Sequence, residues 1–108
     1  MIDFKEMTIP HPRVSTLPKL ELNGKWLMDL GFKVGDLVNV VFTDNCLTLT
    51  TEPLTASSVI PVTSKVIRHR PRIHLILEWW ILKQAGFHVG SRLVLYLTPN
   101  MIQISRIA

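Results

Sequence analysis

A stretch near the start of the chain, LELNGKWLMDLGFKVGDLVNVVFTDNCLTLT at residues 20–50, returns 55 residues later as LILEWWILKQAGFHVGSRLVLYLTPNMIQIS at residues 75–105. The two stretches align without a gap and are identical at 9 of 31 positions. The identities fall on glycines, turn residues and apolar positions, which determine the backbone geometry and which side chains face the core. They are Leu20/Leu75, Leu22/Leu77, Leu27/Leu82, Gly31/Gly86, Phe32/Phe87, Val34/Val89, Gly35/Gly90, Thr43/Thr98 and Asn45/Asn100. We therefore predict one folding unit used twice.

The length and composition predict that the two units share one core. The chain has 108 residues and is 47% hydrophobic, which suits a single globular domain. One half alone, about 54 residues, would bury too little surface to be comfortably stable. We therefore expect the halves to pack on each other.

We predict the cellular compartment from features that the sequence does not contain. The longest strongly apolar stretch, residues 75–82, is interrupted by Glu78 and is far shorter than the ~20 residues that span a bilayer. The N-terminus lacks the basic and apolar regions of a secretory signal. The lone Cys46 has no internal disulfide partner and lies in an alternating run typical of a strand. We expect a cytoplasmic protein without a membrane segment.

Each copy is predicted to fold as strand, short helix, strand, strand. Leu20 and Leu22 alternate with a polar residue as in a strand, and the helix that follows ends at Gly31, since glycine adopts the left-handed C-cap conformation without steric cost. Two alternating runs then form a hairpin that turns at residues 44–45, or 99–100 in the second copy, because Asn tolerates positive φ. The predicted inward-facing residues are Val38, Val40, Phe42, Leu47 and Leu49, with Leu93, Leu95, Leu97, Ile102 and Ile104 in the second copy.

The segment between the copies is predicted to be a connector that carries a strand. Residues 51–64 are rich in Ser, Thr and Pro and have no helical period. A strand beginning near Val59 or Val66 is expected to pair with the other copy, as residues 4–9 would in the mirror position. Among the tryptophans we expect Trp26 in the core, and at least one of the neighbouring pair at residues 79–80, since neighbours on a helix face different directions.

The net charge of +4 is distributed unevenly between the halves. Residues 1–54 hold five basic and seven acidic residues, a net of −2, whereas residues 55–108 hold seven basic residues and one acid, Glu78, a net of +6. Residues 65–74 carry four cations and two histidines. This density is typical of a surface that meets phosphate. The alternative is a solvated linker whose charges only keep the chain in solution.

The first copy resembles the SymE toxin family. The resemblance rests on residues 17–36, which read Pro, an apolar alternation, Gly-Lys-Trp-Leu, Gly-Phe and a further Gly, followed by the hairpin strand at residues 45–50. The second copy fits less well. Residues 71–75 resemble residues 18–22 at a spacing of 53, while the Gly-Phe pair repeats at a spacing of 55. The difference places a two-residue insertion between these two segments. In addition, residues 77–80 replace the Asn-Gly-Lys-Trp start of the first copy.

The resemblance implies the AbrB-like superfamily, whose swapped-hairpin β-barrel normally needs two chains. We therefore expect a mainly β fold with two short helices, formed as a single-chain pseudo-dimer of two repeats. The first repeat is residues 1–54, residues 55–70 are linker and leading strand, and residues 71–108 are the second repeat. Further homo-oligomerisation, and a tandem of two independent barrels, are the alternatives.

The resemblance also implies two functions that disagree. SymE-like proteins are associated with SOS-linked type I toxin-antitoxin systems, blocked protein synthesis and RNA decay, whereas the AbrB-like fold chiefly binds DNA. The chain itself favours binding, because it has no zinc spacing, phosphate loop or nucleophile elbow, and we expect no metal or cofactor. The first hypothesis is a toxin module that binds RNA or DNA; an endoribonuclease and an AbrB-like regulator or antitoxin are the alternatives.

The residues predicted to bind nucleic acid belong to both copies. Three arginines, at 68, 70 and 72, alternate along a segment that Pro71 holds extended, so we expect them on one face. Replacing all three is expected to cost more affinity than replacing the first copy's lysines, because that copy carries its own acids. The full set is Lys65, Arg68, His69, Arg70, Arg72 and His74, with Lys19, Lys25 and Lys33. For metal-free RNA cleavage the candidates are His69, His74, His88 and Glu78, with no catalytic pair evident.

Overall fold

The fold is mainly β with two short helices, as predicted. The computed structural model describes residues 3–12, 17–43, 46–52 and 58–107, the side chains of residues 65–67 excepted. The elements are β1 (Asp3–Thr8), β2 (Leu20–Asn23), α1 (Lys25–Asp29), β3 (Leu37–Thr43), β4 (Cys46–Thr50), β5 (Ser58–Pro61), β6 (Thr63–Ile67), β7 (Arg70–Leu77), α2 (Trp79–Gln84), β8 (Arg92–Thr98) and β9 (Met101–Arg106). Neither helix in these ranges is long and apolar enough to span a bilayer.

Both helices end in the same glycine-based turn. After α1, Gly31 has φ 101° and its N–H donates to Met28 O at 2.9 Å, while Phe32 N–H donates to Leu27 O at 3.1 Å. This pair of bonds is the Schellman motif, which satisfies the last helical carbonyls. The second copy repeats it at Gly86 and Phe87, with N–O distances of 3.0 and 2.8 Å. The predicted glycine cap is therefore confirmed in both copies.

The strands form two antiparallel sheets. One has six strands in the order β1-β8-β9-β4-β3-β5, and the other has three in the order β2-β7-β6. The alternating residues face inward as predicted, because side chains at every second position of a strand share a face. All of the predicted inward-facing set is buried except Phe42, which packs half-buried against the core.

The pairing between the copies follows the sequence spacing of 55. Leu20 pairs with Leu77 and Leu22 with Leu75. Adding 55 to the first residue of one pair and subtracting 55 from the second produces the other pair. The β4–β9 ladder shows the same relation, and at its centre Thr48 pairs with Gln103, its own counterpart at the spacing of 55. The two copies are therefore hydrogen-bonded to each other in both sheets.

The leading strands also cross between copies, as predicted. β1 pairs with β8 of the second copy, and β5 pairs with β3 of the first. Met7 lies opposite Leu93 and Ile60 opposite Val38, so these strands correspond at a spacing of 53. Since β2 and β7 already correspond at 55, the two extra residues lie before Leu75. The prediction that they follow it was wrong.

One core joins the two sheets, but the described strands do not close into the predicted barrel. Buried Leu22 and Leu75 of the smaller sheet belong to the same cluster as Leu49 and Ile104 of the larger one. The larger sheet ends at β1 and β5, and the smaller at β2 and β6, with no ladder joining these edges among the described residues. Between β5 and β6 the backbone of Val62 bonds to Gly35 and Asp36, where the chain passes from one sheet to the other.

The turn and tryptophan predictions had mixed outcomes. Asn100 has φ 63°, as predicted for the second hairpin, whereas the turn at residues 44–45 lies outside the described residues. Trp26 packs half-buried against the core, and its Nε1–H donates to Asn23 O at 2.9 Å. The prediction that Trp79 or Trp80 is a core residue was wrong. Both are exposed, because Ile81 and Leu82 supply the buried face of the short helix α2.

Candidate nucleic-acid interface

A groove between helix α1 and strand β7 is lined by both halves of the chain. Its two adjoining parts, of about 230 and 330 Å³, share Met28, Pro71, Arg72 and Ile73. Lys25 and Arg70 line the smaller part, and Lys33 lines the larger one. We call this the basic groove and define it by Lys25, Met28, Lys33, Arg70, Pro71 and Arg72. Packing of α1 against β7 produces this groove and brings predicted binding residues of both copies together.

Local structure fixes the positions of the four cations. Lys25 is the first residue of α1, directly after Gly24. Lys33 follows the Schellman turn, and its backbone N–H donates to Asp36 Oδ2 at 2.9 Å, which orders that loop. Arg70 and Arg72 lie two residues apart on β7 and therefore share one face. All four side chains are exposed.

The basic groove combines positive charge with apolar contact surface. None of its lining residues is Asp or Glu. Met28 is 61% and Val34 58% exposed, so both present apolar surface beside the cations. Like charges on a concave wall raise the local positive potential, which favours a phosphate chain. These two apolar residues were not among the predicted binding residues, and they add apolar contact surface to the groove.

Two other predicted residues lie at the β2–β7 pairing instead of in the groove. Lys19 Nζ is 3.1 Å from Glu21 Oε1, so its charge is partly neutralised. His74 is only 5% exposed, and its Nε2 lies 3.3 Å from Glu21 Oε2 without hydrogen-bond geometry. His74 was predicted to contact nucleic acid, but burial keeps it from doing so in this conformation.

The predicted row of three arginines on one face is wrong. Ile67 pairs with Arg70, which leaves Arg68 and His69 as a two-residue loop between β6 and β7. Both loop residues have positive φ, 53° and 68°, so the chain reverses there and Arg68 is not part of the extended segment. Lys65 lies opposite Arg72 in the register and is described by its backbone alone.

The three histidines predicted as candidates for RNA cleavage lie on separate elements of the described structure. His69 is in the β6–β7 loop, His74 on β7, and His88 in the loop after α2. Among the described residues no three His, Cys, Asp or Glu side chains lie close enough together to hold a metal ion. Cys46 is a half-buried free thiol on β4. The described residues thus form a cationic groove and no metal-binding cluster.

Part of the first half of the chain matches a known protein family. Residues 6–51 match the sequence model of the family described as toxin SymE, type I toxin-antitoxin system. The predicted SymE-like resemblance is thus confirmed over that region.

Relatives from three Escherichia coli strains, O157:H7 (EC4115 / EHEC), 55989 / EAEC and O6:H1 (CFT073 / ATCC 700928 / UPEC), are each named endoribonuclease SymE. Each is 36% identical over 47 residues, which cover 44% of this chain and 42% of the relative. The chain therefore spans less than half the length of the curated relatives it matches. No solved structure shows a significant match.

Proposed function

We propose that this chain is a SymE-like toxin module that binds RNA through the basic groove. The observation that carries the proposal is the meeting of Lys25 and Lys33 from one half with Arg70 and Arg72 from the other, in a groove without carboxylates. Arginine and lysine together suit a phosphate backbone, the main source of nucleic-acid affinity. The endoribonuclease name of the relatives supports RNA over DNA as the ligand.

The architectural part of the proposal is an AbrB-like single-chain pseudo-dimer acting in the cytoplasm. Residues 1–54 are the first repeat, residues 55–70 the linker and leading strands, and residues 71–108 the second repeat. The spacing of 55 in the β2–β7 and β4–β9 registers supports a twofold relation between the repeats. Two repeats in one chain would place one cationic wall on each half of a continuous binding surface.

RNA cleavage is the second candidate function, favoured by the name of the relatives. A metal-free reaction needs a base that reaches the ribose 2′-hydroxyl and an acid that reaches the leaving oxygen. The one close imidazole–carboxylate pair in the described part of the chain, His74 with Glu21, has an imidazole that is 5% exposed. A substrate hydroxyl cannot reach that nitrogen without local opening, so binding is the better supported function.

The test measures the affinity of the purified protein for labelled RNA and DNA of the same sequence at several salt concentrations. Each phosphate contact releases counterions, so R70Q/R72Q should weaken binding to all sequences and lower the log–log salt slope by roughly 1.4 to 1.8. R92Q/R106Q removes the same charge outside the groove and is the matched control. Equal losses in the two variants, or no binding by the wild type, would refute the proposal. Preference for duplex DNA would favour the regulator alternative.

The same RNA is followed on a gel for cleavage. If the activity is binding, replacing His69, His74 and His88 together should change affinity only modestly and remove no cleavage. Cleavage without added metal that stops when one histidine is replaced would make the endoribonuclease the correct function.

A further inference from the structure

A second groove lies on the other half of the molecule, beside α2. It has a volume of about 340 Å³, and α2 contributes Trp79 and Lys83 while the following loop contributes Phe87 and His88. Ile9 and Pro18 complete its apolar wall. We call this the Trp79 groove and define it by these six residues. None of the residues that line it is acidic.

The Trp79 groove occupies the position that the basic groove has in the first half. Phe87 and His88 correspond to Phe32 and Lys33 at the repeat spacing of 55, and Lys83 corresponds to Met28. The charge therefore differs between related positions. In the basic groove β7 adds two arginines, whereas here Trp79, the first residue of α2, adds an indole at the repeat position of Gly24.

The exposed indole has the surroundings of a stacking platform. Trp79 is 37% exposed, and Lys83 Nζ lies 5.6 Å from the centroid of its ring. Single-stranded nucleic-acid binders combine an aromatic face for the base with nearby cations for the phosphate chain. The groove has that combination in Trp79 and Lys83, in the half of the chain whose net charge is +6.

We propose that the Trp79 groove holds an unpaired base of single-stranded RNA, with Lys83 beside its phosphates. The inference rests on the proposed function and narrows its ligand. A base inside a duplex is already stacked on its neighbours and cannot lie on an indole. A strand held at the Trp79 groove and at the basic groove would contact both halves of the molecule.

The test compares Trp79→Ala with Trp80→Ala in binding to a short labelled oligouridine and to an RNA duplex. Trp80 is the next residue of α2, is exposed to a similar degree, and does not line the groove, so it is a matched control. Loss of one stacked base, worth about 1–3 kcal/mol, should weaken single-strand binding of Trp79→Ala by about 5- to 150-fold. The salt slope should not change, because no phosphate contact is lost. Trp80→Ala and the duplex affinity should change less than about twofold.

A second variant, Trp79→Leu, keeps the apolar bulk and removes the aromatic ring. It should bind single-stranded RNA as weakly as Trp79→Ala, with urea midpoints confirming that both variants fold. Equal affinities of Trp79→Leu and the wild type would overturn the stacking proposal while leaving the basic groove in place. No RNA binding by the wild type would overturn both.

Two further outcomes would also overturn it. One is that oligodeoxyuridine binds the wild type as tightly as oligouridine does and that its affinity falls as much in Trp79→Ala. The ligand is then single-stranded DNA. If the wild type sediments as a dimer that Trp79→Leu dissociates without loss of RNA affinity, the groove is covered by a second copy.

Discussion

At the scale of single residues, the same glycine cap has different surroundings in the two copies. Gly31 and Gly86 both have positive φ, at 101° and 80°. A Cβ at Gly86 would meet nothing within 4 Å, whereas one at Gly31 would overlap Asn100 Oδ1. The backbone explains the overlap, because Asn100 N–H donates to Leu30 O at 2.7 Å and holds the β8–β9 turn against the end of α1.

Substitution of the two glycines should therefore separate conformational strain from steric overlap. Gly86→Ala should lower the free energy of unfolding by about 1–2 kcal/mol, the penalty of a Cβ in the left-handed region. Gly31→Ala should lower the free energy of unfolding by about 1 kcal/mol more, because the new Cβ overlaps Asn100. Urea denaturation measures both. In an Asn100→Gly background the difference should vanish, and its persistence would show that the overlap is not the cause.

At the scale of elements, the β6–β7 hairpin turns on residues that are poorly suited to its geometry. Arg68 and His69 both have positive φ, which costs a residue with a Cβ roughly 1–2 kcal/mol. Asn-Gly is the usual choice for such a two-residue loop.

Replacing Arg68 and His69 by Asn and Gly should stabilise the protein. The free energy of unfolding should rise by about 1 kcal/mol and the thermal midpoint by roughly 4–8 °C, since strain in the folded loop is removed. Calorimetry provides the measurement, with Arg68→Gln alone as the control for charge. The loss of RNA affinity should be no larger than the loss expected from removing one phosphate contact. An unchanged midpoint would mean that the loop residues are not strained.

At the scale of the whole molecule, neither half can form the observed core alone. Each sheet contains strands of both copies, and the buried leucines of β2 and β7 face the same cluster. Fragments 1–54 and 55–108 are each predicted to be largely unfolded when separate, because about 54 residues bury too little surface. Mixed at equal concentration, they should recover the circular dichroism of the intact chain. A folded, monomeric fragment would contradict the shared core.

The basic groove also changes the contributions to RNA binding that are expected from the arginines and from the lysines. The sequence predicts that the arginines dominate, whereas Lys25 and Lys33 line the groove together with Arg70 and Arg72. K25Q/K33Q should therefore weaken RNA binding about as much as R70Q/R72Q, with a salt slope lower by roughly 1.4 to 1.8. Lys5→Gln combined with Lys19→Gln removes equal charge outside the groove. A much smaller loss for K25Q/K33Q would restore the arginine-dominated expectation.

The sequence by itself determined the repeat, the helix caps and the inward-facing strand residues. These features depend on local rules: glycine at positive φ after α1 and α2, and alternation along β3, β4, β8 and β9. Residues 17–36 also resemble the SymE toxin family, and the comparison with known families confirms that resemblance over residues 6–51.

Only the tertiary structure decided which charged and aromatic residues meet. Whether Lys25 and Arg72 share a groove depends on the packing of α1 against β7, which join residues far apart in the chain. The burial of His74 and the exposure of Trp79 likewise depend on which neighbours cover them, and side-chain type does not determine that. Local propensity fixes where a strand lies and which way its residues alternate, whereas the surface that binds is formed by long-range packing.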